Sequence, residues 1–455
     1  MYPAPVDAVS SDMSAEPTQC LATLIAAPSS GQGKTIYCAA LARQLRNQGK
    51  RVQVFKLGPD YLDPTIHEKA SSQSVYNLDL WIMGEHHCRD LLANAAAKND
   101  VILIESVMGL HDNQPSNAQL CQLFGLTVTL IIDVAKLAQT AAAIVSGIRQ
   151  YDVGANITAV IGNKVGSDNH DLLMRYAFGD CYAGSIRRDS RFEIAQRHLG
   201  LVQAGDIENL DQQLDQAADA LDEFKISASL SNITFLPPSL PKKKPANKVE
   251  TNKLLEGKVV AIAKDAAFSF IYPMNIQVLE NAGAKLMYFS PLNNDVLPDC
   301  DALWLPGGYP ELHIKSLSDS TQARTSIKDH HLESKPILAE CGGMMYLCHS
   351  ITNTTGDSGK TCGILDANCE MKTRFQSVGL QAVDYGQGEI RGHSFHHSKI
   401  VSSIGSNLKP EIYATRQDGR QGEAIYSESN TRLSYIHHYF ASNITASSFL
   451  FLDAD

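Results

Sequence analysis

Short apolar runs alternate with longer helical patterns over residues 22 to 225. TLIAAP, RVQVFK, DVILIES, LTVTLIID and ITAVIGN are the runs, and KTIYCAALARQLRNQGK is the first segment between them. Runs that are apolar on both faces suit strands of a parallel sheet with helices on both sides, because neither face then meets water. In the intervening segment Tyr37, Ala40, Leu41 and Leu45 recur at helical spacing, and Gly49 offers the stop. Such repetition of strand and helix predicts an α/β fold. The alternation restarts near Gly257 with KVVAIAKD, NIQVLENAG, AKLMYFS, DALWLPGG and KPILAEC, so a second α/β domain is expected there, richer in β structure from about residue 360. FLPPSLPKKKPANKVETNK, residues 235 to 253, combines prolines with a lysine run and has no apolar period, which marks a linker. The expected division is a disordered tail over 1–20, a first domain over 21–234, a linker over 235–256 and a second domain over 257–455.

Composition narrows the function. At 455 residues the chain has room for two or three domains, each with its own core. A formal net charge of -10 argues against nucleic acid and anionic membranes as partners, since the long-range term would be repulsive. The ten cysteines include no CxxC pair, so reduced thiols in the cytoplasm fit better than disulfides or structural zinc. The first twenty residues lack the basic start and apolar stretch of a secretory signal, and no later charge-free apolar run is long enough for a bilayer.

In the first domain PSSGQGKT joins a predicted strand to a predicted helix, where backbone N–H groups and the helix start can cradle phosphates. Lys34 would neutralise phosphate charge and Thr35 would hold magnesium. The first position of the GxxxxGK[ST] pattern falls on Pro28, so a plain glycine-rich turn is the alternative. KLGPDYLDP sets Asp60 and Asp63 just after the strand RVQVFK, and VILIESVMGLHD sets Glu105 at a strand end with Asp112 in the loop beyond. Carboxyl ends of parallel strands form the ligand crevice of such sheets, so these acids are expected to converge. For Asp60 and Asp63, beside Pro59 and Pro64, turn and helix-cap roles compete with metal binding.

The second domain carries AECGGMMYL, in which a strand is followed at once by Cys341, Gly342 and Gly343. The glycines permit a tight turn and the helix start favours a thiolate, as in a nucleophile elbow. LSYIHHYF presents His437 and His438 on opposite faces of a predicted strand, so only one can face the thiol. Gly307 and Gly308, in LPGGYPEL, supply N–H groups suited to an oxyanion.

SSGQGKT, FKLGPDYLDPTIH, YNLDLW, IESVMGLHD, QRHLGLVQA, DAAFSFIYP, LPGGYPEL, AECGGMMYL, RGHSFHHS and SYIHHYF together resemble the cobyrinic acid a,c-diamide synthases, glutamine-dependent amidases of corrinoid synthesis. The resemblance covers nearly all of residues 22 to 445. It implies an amino-terminal P-loop domain similar to dethiobiotin synthetase and a carboxy-terminal class I glutamine amidotransferase domain of flavodoxin-like type. It implies ATP and magnesium, with ATP cradled by Ser30, Gly31, Gly33, Lys34 and Thr35, and with Asn163 a candidate for the adenine edge. Metal ligands would be Thr35, Asp60 and Glu105; Asp63 and Asp112 would lie near the acceptor carboxylates, orienting substrate or holding metal. Cys341 would be the nucleophile with His437 as its partner, and N–H groups near Gly308 and Gly342 would hold the oxyanion. Tyr439 stands where other class I glutaminases have an acid, which implies a Cys–His dyad. The expected partners are ATP, L-glutamine and a corrinoid-type macrocycle; a homodimer stays open. The alternatives are cobyric acid synthase, an amidase of hydrogenobyrinate or nickel sirohydrochlorin with the same architecture, and, from another class, a P-loop switch ATPase with an inert second domain.

Overall fold

The computed structural model describes residues 17–152, 154–188, 204–221, 223–237, 253–402 and 408–453. The described residues divide into two compact units, the first built from those between 17 and 237 apart from Trp81–Met83, and the second from those from 253 onward together with those three. Among the described residues no helix is long and apolar enough to cross a membrane.

The first unit holds an eight-stranded sheet of β1 (Thr18–Ala26), β2 (Val52–Leu57), β3 (Tyr76–Leu78), β4 (Val101–Glu105), β5 (Val128–Asp133), β6 (Ile157–Val165), β7 (Tyr182–Arg187) and β8 (Ser231–Phe235). Their order is β3-β2-β4-β1-β5-β6-β7, with β8 pairing β1. β1, β2, β4 and β5 are buried along most of their length, as runs apolar on both faces require. Helix α1 (Lys34–Asn47) buries Tyr37, Ala40, Leu41 and Leu45, the positions whose spacing predicts it. The tail expected over residues 1–20 ends sooner than its composition suggests: Thr18, Gln19 and Cys20 belong to β1 and pair antiparallel with Phe235, Thr234 and Ile233. Local polarity hides that pairing because the partner strand lies at the far end of the unit. QRHLGLVQA lies almost wholly outside the described residues, as does most of the linker. At the linker's end Leu255 is fully buried and its N–H donates to Ala282 O at 2.9 Å, so this stretch packs on the second unit.

The second unit is built on a ten-stranded mixed sheet. β9 (Val259–Ala263), β10 (Lys285–Phe289), β11 (Ala302–Leu305) and β12 (Ile337–Glu340) lie in the order β10-β9-β11-β12, and all three of these pairings are parallel. β12 then pairs parallel with Thr431–Ser434, beyond which the sheet turns antiparallel and ends with Glu389–His396 beside Ile436–His438. A separate four-stranded sheet contains Ser350–Thr352, Ser358–Lys360, Ala367–Met371 and Ser398–Ser402, in keeping with the β-rich end expected from residue 360.

Candidate functional site

In the first unit the carboxyl ends of β1, β4 and β2 converge, as neighbours at the centre of a parallel sheet must. The β1–α1 turn has Gly31 at φ +78° and Gly33 at φ +100°, a region L side chains avoid. A Cβ on Gly33 would also lie 2.2 Å from Asn163 Nδ2. Asn163 is tied to this turn: its Nδ2 donates to Gln32 O at 2.8 Å and its Oδ1 accepts from Lys164 N at 2.9 Å. Lys34 Nζ donates to Ser29 O (3.1 Å) and Met108 O (2.7 Å), and burial lowers its pKa. Thr35 Oγ1 donates to Glu105 Oε1 at 2.8 Å. Two hard oxygens thus sit side by side at the helix start, a fit for magnesium, which takes one or two carboxylates and completes its shell with phosphate and water.

Lys56 organises the acids. It is the register partner of Glu105 across β2 and β4, it is 3% exposed, and its Nζ lies 3.0 Å from Glu105, 2.6 Å from Asp63 and 3.7 Å from Asp60. Burial opposes the charge on Lys56, but the carboxylates of Glu105, Asp63 and Asp60 override it and raise its pKa. Glu105 answers in kind: burial works against its ionisation, yet Lys56 and His67 hold its carboxyl below the ordinary range. His67 Nε2 meets the second oxygen of Glu105, and with Cys38 these two bring three potential ligand atoms within 4.8 Å of one another. Burial, with Asp60 and Glu105 nearby, pushes Asp63 up to about 7 against the pull of Lys56. Asp60 keeps a turn role as well, since its Oδ1 accepts Leu62 N (2.8 Å) and Asp63 N (3.2 Å). Asp112 stands apart from this cluster, exposed, with Oδ2 accepting Gly109 N at 2.8 Å beside the P-loop carbonyl of Pro28.

In the second unit Cys341 occupies the corner between β12 and helix Gly342–Leu347 at φ 45°, ψ -105°. A non-glycine residue there carries backbone strain of order ~1–3 kcal/mol, which the surroundings must hold in place. Cys341 N donates to Ser434 O at 2.7 Å. The next two residues are held by contacts that only glycine fits: a Cβ on Gly343 would come within 2.1 Å of Leu305 O, and one on Gly342 within 2.9 Å of Gly308 N. A Cβ on Gly307 would lie 2.2 Å from His437 Cε1. The Gly307–Gly308 loop therefore touches both the cysteine corner and the His437 ring.

His437 is 1% exposed, stacks on His393 (centroids 5.0 Å, 23° between planes) and packs against Phe270 at 5.7 Å. His393 lies opposite it in the strand register and has Nδ1 3.2 Å from the Tyr272 hydroxyl. Burial, then the neighbouring His393, holds His437 well below the usual imidazole value; burial brings His393 to about 3. The Cys341 thiol is pushed well above its ordinary value by burial first and by Glu311 next. Burial thus disfavours the charged form of both groups. His438 faces the other way, its Nδ1 2.6 Å from Glu340 Oε1 and its Nε2 3.0 Å from the Tyr385 hydroxyl.

Residues 23–202 match the CobQ/CobB/MinD/ParA nucleotide binding domain, and residues 259–444 match the CobB/CobQ-like glutamine amidotransferase domain. The chain is 43% identical to the hydrogenobyrinate a,c-diamide synthase of Stutzerimonas stutzeri over 95% of this chain and 98% of that one. It is 42% identical to the enzyme of the same name from Pseudomonas aeruginosa, covering 96% and 98%, and 41% identical to the cobyrinate a,c-diamide synthase of Herminiimonas arsenicoxydans, covering 94% and 96%. The chain belongs to the cobyrinate/hydrogenobyrinate a,c-diamide synthase family. Membership makes it a carbon–nitrogen ligase with glutamine as amide donor and sets aside the switch-ATPase alternative.

For an a,c-diamide synthase the structure adds residues that reading the motifs missed. Lys56 closes the quoted run RVQVFK and His67 closes the quoted FKLGPDYLDPTIH, and neither was given a role there. His393 lay inside the quoted RGHSFHHS without a role. The available signal for Lys56 was a lysine near the end of a largely apolar strand, shortly before Asp60 and Asp63.

Proposed function

We propose that this chain converts the a and c carboxylate side chains of a cobyrinic-acid-type macrocycle into amides, using ATP and glutamine, in the cytoplasm. The observation that carries the reading is the presence, in one chain, of a P-loop bonded to Glu105 and of a strained cysteine corner closed by the Gly307–Gly308 loop.

In the second unit Cys341 attacks the side-chain amide carbon of glutamine while His437 takes the thiol proton. N–H groups at Gly308 and Gly342 receive the charge on the oxygen. His437 returns the proton to the leaving nitrogen, ammonia departs, and water cleaves the thioester to glutamate. In the first unit a side-chain carboxylate oxygen attacks the γ-phosphorus of ATP and ADP leaves, giving an acyl phosphate. Ammonia then attacks the acyl carbon and phosphate leaves. A bare carboxylate is a poor electrophile, which is why ATP must precede ammonia.

The residues of the first unit have separable tasks. The Ser30, Gly31 and Gly33 backbone cradles phosphate, and Asn163 braces the turn as well as being a candidate for the adenine edge. Lys34 exchanges its two carbonyl partners for phosphate oxygens. Thr35 and Glu105, with Asp60 in support, would hold magnesium, which when bound supplies charge neutralisation for the transferring phosphoryl group. Asp63 and Asp112 flank the acceptor, and Lys56 offers a buried cation beside the reacting carboxylate.

Two of the relatives above are named for hydrogenobyrinate, which supports the metal-free macrocycle as the first substrate to try. The test is incubation with ATP, magnesium and glutamine plus hydrogenobyrinate, cobyrinate or nickel sirohydrochlorin in turn, followed by mass spectrometry. Two successive exchanges of OH for NH2 on one macrocycle are expected; ATP turnover with no mass change on any of them contradicts the reading.

A further inference from the structure

Three residues past the oxyanion loop lies a buried carboxyl that the mechanism above does not use. Glu311 is 6% exposed, and its Oε2 is buried with no hydrogen-bond partner. It sits in the short 3-10 turn Pro310–Leu312. That turn is packed on the nucleophile corner: Pro310 Cδ lies 2.9 Å from where a Cβ on Gly342 would be. After burial itself, the charge of Glu311 is the largest influence raising the Cys341 thiol, so the two groups are electrostatic neighbours.

A buried carboxylate without a cation or a full set of donors is unfavourable. Burial pushes Glu311 up to about 7, so an arriving cation would favour its ionised form, with the proton released to water. Its own backbone N–H is the one hydrogen bond that pulls the other way. Retaining such a group beside a nucleophile makes physical sense if a ligand brings the missing positive charge. The reaction at Cys341 brings one: glutamine carries an ammonium group on its α-carbon, three carbons from the amide carbon under attack.

We propose that Glu311 receives the α-ammonium group of the glutamine whose amide Cys341 attacks, and so selects an amino acid over a simple amide. This rests on Cys341 being the glutaminase nucleophile. It makes Glu311 a specificity residue, with its carboxylate satisfied only when the donor is seated.

The test compares the full-length protein with Glu311→Gln on two donors: L-glutamine, and 4-carbamoylbutanoate, which has the same amide but no amino group. Ammonia release is read for both, and macrocycle amidation with added ammonium serves as the check on folding. The wild type should prefer glutamine, and Glu311→Gln should lower kcat/KM for glutamine roughly 10- to 100-fold, mainly through KM, the range of a charge-assisted hydrogen bond. The deaminated donor and the ammonium-supported reaction should change little. A variant that keeps the wild-type preference overturns the proposal. Should Glu311→Gln lose the ammonium-supported reaction too, Glu311→Asp decides: a retained preference for glutamine supports the proposal, and equal loss on both donors overturns it. Failure of the wild type to cleave glutamine at all would instead count against Cys341 as the nucleophile.

Discussion

Glu340 and His438 are joined twice: Glu340 Oε1 accepts the His438 backbone N–H at 2.8 Å and lies 2.6 Å from its ring Nδ1. The other carboxylate oxygen accepts Trp304 Nε1 at 2.9 Å. With Nδ1 donating to the carboxylate, Nε2 is left to accept from Tyr385, and His438 has no nitrogen to spare for the thiol. Its neighbour His437 lies against Gly307 on the opposite face. His437→Ala should therefore abolish glutamine-supported amidation while ammonium still serves. His438→Ala should act through stability, costing about 2–5 kcal/mol, because it strips a partner from a carboxylate that is 1% exposed. Paired activity assays and urea unfolding distinguish the two.

Lys56 holds together three carboxylates, and Glu105 among them is almost wholly buried. Lys56→Met leaves Glu105 short of its principal counter-charge, so a loss of about 3–5 kcal/mol in the first unit is expected. Amidation should fail with glutamine and with ammonium alike, whereas glutamine hydrolysis, measured by glutamate release, should persist. Loss of glutaminase activity alone would contradict this assignment.

The thiol has a distinctive pH response. Burial and Glu311 favour the protonated form of Cys341, raising its pKa above the ordinary 9.0. Nucleophilic thiolate is therefore scarce at neutral pH and grows as pH rises toward the shifted value. Iodoacetamide labelling of Cys341 in the glutamine-free protein, followed by peptide mapping, should climb through pH 9.0 without a plateau. A plateau near neutrality would indicate a resting thiolate–imidazolium pair.

Gly307→Ala tests the loop that spans the second site. The added methyl would start 2.2 Å from His437 Cε1 and 2.8 Å from Nδ1, so loop or ring must move. A fall of about 100-fold or more in glutamine-supported turnover is expected, since a displacement of about 1 Å is enough for that. Ammonium-supported turnover should stay close to wild type.

The local features of both sites were legible because each is written in contiguous residues: apolar run, glycine turn, helix start. That sufficed for the β1–α1 turn, for Glu105 at the end of β4 and for the Cys341 corner. What escaped depends on strand order and pairing. Lys56 meets Glu105 because β2 lies beside β4, and His393 meets His437 because their strands pair in that register. Thr18–Cys20 read as tail because their partner strand, β8, is the last of its unit. His437 and His438 were both placed correctly on opposite faces by alternation alone, but which one was already engaged required Glu340, 98 residues away.

The most direct measurement follows amidation of one macrocycle by Cys341→Ala and Lys34→Ala, each supplied with ATP, magnesium and either glutamine or ammonium. Two chemistries housed in separate units predict that the cysteine variant works with ammonium only and the lysine variant with neither. A folded Cys341→Ala protein that fails with ammonium as badly as with glutamine would contradict that division.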